Sequence, residues 1–182
     1  MRVIGGAARG RPLAAPPGKD TRPTSDRARE GLFSTLESLR GLSWEGARVL
    51  DLYAGSGAVG LEALSRGAAH VVLVESDVRA AAVIRRNAET VAPQGFRVVV
   101  DRVERFLATV TGEPFDVVFL DPPYDVADEI VARVIAAVPL APSGIVAVER
   151  SSRSPEPEWP EGIERVRERT YGEGALWYGR AT

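Results

Sequence analysis

Between residues 48 and 149 the sequence alternates short, almost wholly apolar segments with amphipathic ones, and this alternation dictates the fold class. Residues 48–52, 71–75, 97–100, 115–120 and 144–149 have the composition of strands. Residues 57–66, 78–91, 103–110 and 126–138 lie between them and have helical spacing. Strands that are apolar on both sides and separated by helices belong to a parallel sheet covered on both faces. The pattern therefore predicts an α/β, doubly wound, mostly parallel sheet, with ligands beyond the carboxyl ends of the strands. An earlier helix is expected from an N-cap at Ser25 or Asp26 to near Gly41, with Leu32, Phe33, Leu36 and Leu39 on one face. Residues 151–162 contain Pro155, Pro157 and Pro160 and suggest a surface loop. Residues 165–180 suggest two further strands around Gly172-Glu173-Gly174, which brings the sheet to seven.

Residues 1–24 differ in kind. They are rich in Gly, Pro and Arg, and 2–4 and 11–13 could pair as a small basic hairpin ahead of one domain spanning 25–182. The first 30 residues carry Arg2, Arg9, Arg11, Lys19, Arg22, Arg27 and Arg29 against Asp20, Asp26 and Glu30, although the whole chain has a net charge of −2. A basic arm on an acidic body fits contact with nucleic acid, and it also fits a solvated tail. The chain has no cysteine and one histidine, His70, which excludes disulfides and thiolate chemistry and argues against a metal centre. No apolar run approaches the ~18 residues of a membrane span, and no signal-peptide core opens the sequence, so a soluble, cytoplasmic protein is expected; a monomer is the expectation for its oligomeric state, which no sequence feature reads out.

The first strand runs into Asp51-Leu52-Tyr53-Ala54-Gly55-Ser56-Gly57-Ala58-Val59-Gly60. The glycines allow a sharp turn and the close approach of a ligand to the backbone. Gly55, Gly57 and Gly60 spell G-x-G-x-x-G, and Glu75 ends the second strand, so a nicotinamide dinucleotide and S-adenosylmethionine both fit these features. Asp51 favours the second. A carboxylate beneath the loop gains nothing from a pyrophosphate, whereas S-adenosylmethionine carries a cationic ammonium and sulfonium. Tyr53, Ala54, Gly55, Ser56 and Gly57 would then wrap the donor. Glu75, next to Ser76, would accept from its ribose hydroxyls. Arg102 and Val103 follow the third strand, where the adenine ring is expected. Arg102 suits the adenine amino group poorly, so the Val103 backbone is the better candidate.

Asp121-Pro122-Pro123-Tyr124 follows the strand at 115–120 and carries the most chemistry. Two prolines stiffen the strand exit. An exocyclic amino nitrogen is a poor nucleophile because its lone pair is delocalised into the ring. Two acceptors on its hydrogens, Asp121 Oδ and the Pro122 carbonyl, favour a pyramidal nitrogen with its lone pair directed at a methyl group. Tyr124 offers a surface on which the base can stack.

The glycine loop and Asp121-Pro122-Pro123-Tyr124 together resemble the class I amino-methyltransferases. The chain is more narrowly similar to the bacterial 16S ribosomal RNA guanine-N2 methyltransferases of RsmD type. That likeness rests on Arg2-Val3-Ile4-Gly5-Gly6, Arg9-Gly10-Arg11, Thr21-Arg22-Pro23-Thr24, Asp26-Arg27, Arg29-Glu30 and Leu32-Phe33, followed by the segment from Asp51 to Gly57. The resemblance implies a seven-stranded, Rossmann-like class I methyltransferase sheet with S-adenosylmethionine as donor and S-adenosylhomocysteine as product. It implies a single target guanine of the position-966 type in small-subunit rRNA, within an assembled or assembling 30S particle. It also implies RNA docking through the basic segment with Arg2, Arg9, Arg11 and Arg22, and closure over the donor by the segment with Thr24, Arg27 and Glu30. Asp121–Tyr124 alone does not separate guanine N2 from adenine N6. A nicotinamide-dependent oxidoreductase and a non-catalytic RNA-binding protein are the other readings; Asp51 and Asp121–Tyr124 argue against the first, and the intact Asp121 against the second.

Overall fold

The structure, a computed structural model, describes residues 1–17, 26–41 and 43–182. The apolar segments become five parallel strands, β1 (Arg48–Leu52), β2 (His70–Glu75), β3 (Phe96–Val100), β4 (Phe115–Leu120) and β5 (Leu140–Ser151). Helices α2 (Ala58–Ser65), α3 (Val78–Val91), α4 (Val103–Thr109) and α5 (Asp128–Ala137) join them, and α1 (Asp26–Arg40) precedes them. A hairpin of β6 (Ile163–Tyr171) and β7 (Gly174–Ala181) completes a seven-stranded sheet of order β3-β2-β1-β4-β5-β7-β6. Only β7 runs antiparallel to its neighbours β5 and β6. The chain winds outward from β1 to β3 and then returns to lay β4 against the other side of β1, so a crevice forms at the carboxyl ends of β1 and β4. No helix among the described residues is long and apolar enough to cross a membrane.

Alternate residues of each strand enter opposite layers. Val49, Val117, Phe119 and Ala147 pack with Leu32 and Phe33 of α1, Leu61 of α2 and Ile84 of α3. Leu50, Val118, Leu120 and Val148 pack with Phe106 of α4 and Val134 of α5. This parity also sets the side on which each strand's terminal polar residue emerges.

The N-terminal segment is built into the first layer. Instead of the expected pair of strands there is one bridge, Arg2 with Pro12, since Pro12 has no N–H to extend a ladder. Val3 N–H donates to the Arg11 carbonyl and Leu13 N–H to the Met1 carbonyl, both at 3.0 Å. Val3, Ala8 and Leu13 are buried in the core. Gly6 has φ +75°, and a Cβ there would stand 1.9 Å from the Ser65 carbonyl oxygen at the end of α2, so only glycine fits.

Glu62 of α2 fastens this docking. Its fully buried carboxylate accepts from Ile4 N–H at 2.8 Å, Gly5 N–H at 2.7 Å and Arg66 Nε at 2.9 Å. Arg29 Nε lies 3.8 Å from the same carboxylate. Arg29, counted among the bases of the arm, therefore has no exposed surface; it donates to the Arg2 carbonyl and to Asp26. Removing the carboxylate by Glu62→Ala leaves the buried Arg29, the part-buried Arg66 and two N–H groups short of a partner. We expect a loss of about 3–5 kcal/mol in urea unfolding, with a smaller loss for Glu62→Gln. An unchanged unfolding midpoint would contradict this role.

Candidate active site

Between β1 and α2 the chain turns sharply. Ala54 N–H donates to the Val74 carbonyl at 3.0 Å and Gly57 N–H to the Ala54 carbonyl at 2.7 Å. Tyr53 sits at φ 61°, a conformation that costs a non-glycine residue roughly 1–3 kcal/mol and recurs at ligand sites. The loop glycines have separate tasks. A Cβ at Gly57 would lie 3.0 Å from Ile84, and one at Gly60 2.8 Å from Leu73, so these two let α2 sit close on the sheet. At Gly55, φ +58°, a Cβ would meet only the Tyr53 carbonyl oxygen at 3.9 Å. The space above Gly55 is open to a ligand.

Two carboxylates hold this loop from below. Asp51 is 2% exposed, and its Oδ2 accepts from Gly60 N–H at 2.8 Å, capping the first turn of α2. Burial pushes its pKa up to about 8; the Gly60 hydrogen bond opposes the rise and the charge of Glu75 adds to it. Glu75 is also buried, and its oxygens accept from Gly55 N–H at 2.8 Å and Asp77 N–H at 2.9 Å. Each oxygen keeps a further lone pair for a ligand hydroxyl. A phosphate would deepen the cost of ionising Asp51 and a cation would offset it, which favours a cationic ligand over a dinucleotide.

Across the crevice, β4 delivers Asp121. Burial first, then the charges of Glu149 and Asp51, hold its carboxyl well above the usual carboxylate range, against the pull of Arg150. Arg150, near the end of β5, is a residue that sequence patterning missed. It is 4% exposed and donates to the Pro123 carbonyl at 3.4 Å, the Val126 carbonyl at 2.9 Å and Asp128 Oδ1 at 3.0 Å. One buried guanidinium thus pins the chain that leaves Asp121, and α5 begins at Asp128 rather than at 126. Pro122 is buried beneath, while Tyr124 is 57% exposed and rises from the pinned loop. Asn87 of α3 was missed too. It accepts from Ala14 N–H at 2.8 Å and donates to the carbonyls of Ala14 and Ser56, both at 2.9 Å, tying the N-terminal segment to the glycine loop.

The remaining candidates are more dispersed. The Ser56 hydroxyl lies 3.8 Å from the Met1 sulfur, and Ser76 is exposed at the end of β2. Arg102 is exposed at the N-cap of α4, its N–H bonded to Asp101 Oδ1 at 2.8 Å. The Val103 side chain is buried in the core, which leaves only its backbone available to a ligand. Arg27 and Glu30 are exposed in the first turns of α1. Arg2, Arg9 and Arg11 are exposed on the N-terminal segment, with Arg11 bonded to the Thr90 carbonyl. Arg22, Thr24 and Ser25 lie outside the described residues.

Residues 1–180 match the family described as Conserved hypothetical protein 95. The chain is 37% identical over 177 residues to ribosomal RNA small subunit methyltransferase D of Escherichia coli K12, covering 96% of this chain and 87% of that one. Its counterpart of the same name in Haemophilus influenzae is 34% identical over 177 residues, covering 94% of this chain and 89% of that one. A solved Escherichia coli structure, that of yhhF, superposes with a TM-score of 0.84 at 36% identity, over 100% of this chain and 97% of that one. The sheet is thus of the class I, Rossmann-like methyltransferase type.

The buried Asp51 carboxyl has a consequence for stability. The unfolded chain releases this proton near pH 4, whereas the folded protein keeps it to about 8. Stability should therefore fall as pH rises through this window. Asp51→Asn keeps an acceptor for Gly60 N–H and removes the ionisation. We expect the variant to lose less stability from pH 5 to 8 and to be the more stable protein at pH 8. Parallel pH profiles of the urea midpoint would contradict this.

Proposed function

The chain belongs to the Conserved hypothetical protein 95 family, that of the ribosomal RNA small subunit methyltransferase D proteins, and on this premise we propose that it methylates the exocyclic N2 of one guanine in small-subunit rRNA. One observation carries the reading. Asp121 and Pro122 leave the sheet at its switch point, across from a glycine loop underlain by acids. An amino group can be gripped on one side while a cationic donor is held on the other.

S-adenosylmethionine fits the donor side and, when bound, supplies an electrophilic methyl group on a cationic sulfur, leaving as S-adenosylhomocysteine. Glu75 would accept from the ribose hydroxyls, the open backbone at Gly55 would admit the ligand, and the donor's positive charge would favour the ionised form of Asp51 that burial alone disfavours. On the substrate side Asp121 Oδ and the Pro122 carbonyl hold the two N–H bonds and direct the nitrogen lone pair. The proton released once the nitrogen is methylated passes to Asp121 in its ionised form, or to water. Tyr124 stacks on the base, a contact worth roughly 1–3 kcal/mol. Most of the acceleration is orientation and fixed electrostatics rather than strong basicity.

The exposed Arg2, Arg9 and Arg11 would bind the RNA backbone. The substrate is the assembled or assembling particle, and the family resemblance implies a guanine of the position-966 type.

The test is incubation with radiolabelled donor and small subunits lacking the modification, alongside naked rRNA and duplex DNA, followed by nucleoside analysis. N2-methylguanosine from the particles is expected, and N6-methyladenosine as the product would overturn the assignment. Asp121→Ala should lose at least about 10²-fold in turnover while binding the donor as the wild type does. Undiminished turnover in that variant would remove Asp121 from the mechanism.

A further inference from the structure

Glu149 lies beside the reactive carboxylate and has no part in the mechanism above. β4 and β5 run parallel with Leu120 paired to Val148, so the next residues, Asp121 and Glu149, stand on neighbouring strands about 5 Å apart. They emerge on the same side of the sheet. Phe119 and Ala147, two positions earlier on each strand, both enter the layer of α1 and α2, whereas Leu120 and Val148 enter the opposite one. A Cβ at Gly174 would lie 3.3 Å from Glu149 Oε1, which places the carboxylate near the turn of the β6–β7 hairpin. The charge of Glu149 acts directly on Asp121. Two neighbouring carboxyl groups thus stand at the ends of β4 and β5.

We propose that Glu149 is the residue that selects guanine, accepting its N1–H while Asp121 and the Pro122 carbonyl hold the N2 amino group. This rests on the guanine-N2 reading above. In their ionised forms the two carboxyl groups are acceptors only, and N–H donors entering beside them favour those forms. The pairing edge of guanine puts an N1–H donor beside the N2 amino donors, which matches a pair of carboxylates. Adenine puts a bare N1 lone pair beside its amino group, and that lone pair would face a Glu149 oxygen. Asp121-Pro122-Pro123-Tyr124 can grip either amino group, so the second carboxylate discriminates. A site built to accept from a particular N–H discriminates strongly against an analogue that lacks it.

The inference is tested on particles reconstituted with 2-aminopurine in place of the target guanine. That base keeps the 2-amino group but has a lone pair at N1. The wild type should methylate it at least about 10²-fold more slowly than guanine. Glu149→Gln, whose amide can donate to N1, should act on 2-aminopurine about 10-fold or more faster than the wild type does, while losing rate on guanine. A misfolded variant cannot show that gain. Equal wild-type rates on the two bases would overturn the proposal, as would a Glu149→Gln effect equal on both. Should Glu149→Gln fail to fold, the wild-type comparison decides by itself. Failure of the wild type to form N2-methylguanosine on guanine particles would instead reject the underlying reading, which separates the two failures.

Discussion

Every parallel strand of this sheet carries an acid at or beside its carboxyl end, and the crevice chemistry depends on that row. Asp51, Glu75, Asp101, Asp121 and Glu149 follow one another on β1, β2, β3, β4 and β5. Parallel strands all deliver their ends to one edge, so the charges gather there. Backbone N–H groups of the glycine loop satisfy Asp51 and Glu75, and Arg150 opposes the charge around Asp121. Those partners leave an edge still rich in acceptors. Such an edge suits a cationic sulfur on one side and an array of N–H donors on the other. It suits a pyrophosphate poorly, although the loop spells the dinucleotide pattern.

Preorganisation comes from buried polar clamps on both sides of the crevice. On one side Glu62 and Asn87 hold the N-terminal segment against α2 and the glycine loop. On the other, Arg150 holds the loop after Asp121 by three hydrogen bonds. Positioning of this kind can supply a large part of a methyl transfer, since the reacting groups need orientation more than activation. It also means that the basic arginines of the N-terminal segment are displayed from a fixed platform. Val3, Ala8 and Leu13 anchor it in the core, and Arg2, Arg9 and Arg11 stay outside.

The fold was legible because strand and helix periods are local signals. The five apolar strands, the helices between them and the final hairpin follow from spacing alone, and the glycine loop and Asp121-Pro122-Pro123-Tyr124 are contiguous motifs. The clamps were not legible, because their partners are far apart in the chain. Arg150 reaches Val126 across 24 positions, and Asn87 reaches Ala14 across 73. Charge counting also misassigned Arg29, since a composition cannot show that one arginine of a basic segment turns inward to a buried carboxylate. Nothing local in the sequence marks Glu149; only the β4–β5 register sets it beside Asp121.

The account turns on where the donor sits. The most direct measurement is a crystal structure of the protein soaked with S-adenosylhomocysteine. The account predicts ribose hydroxyls on Glu75, adenosine along the glycine loop, and a sulfur that faces Asp121 and the Pro122 carbonyl across the width of one methyl group and one amino group. A ligand lodged away from Glu75, or a sulfur turned away from Asp121, would contradict it.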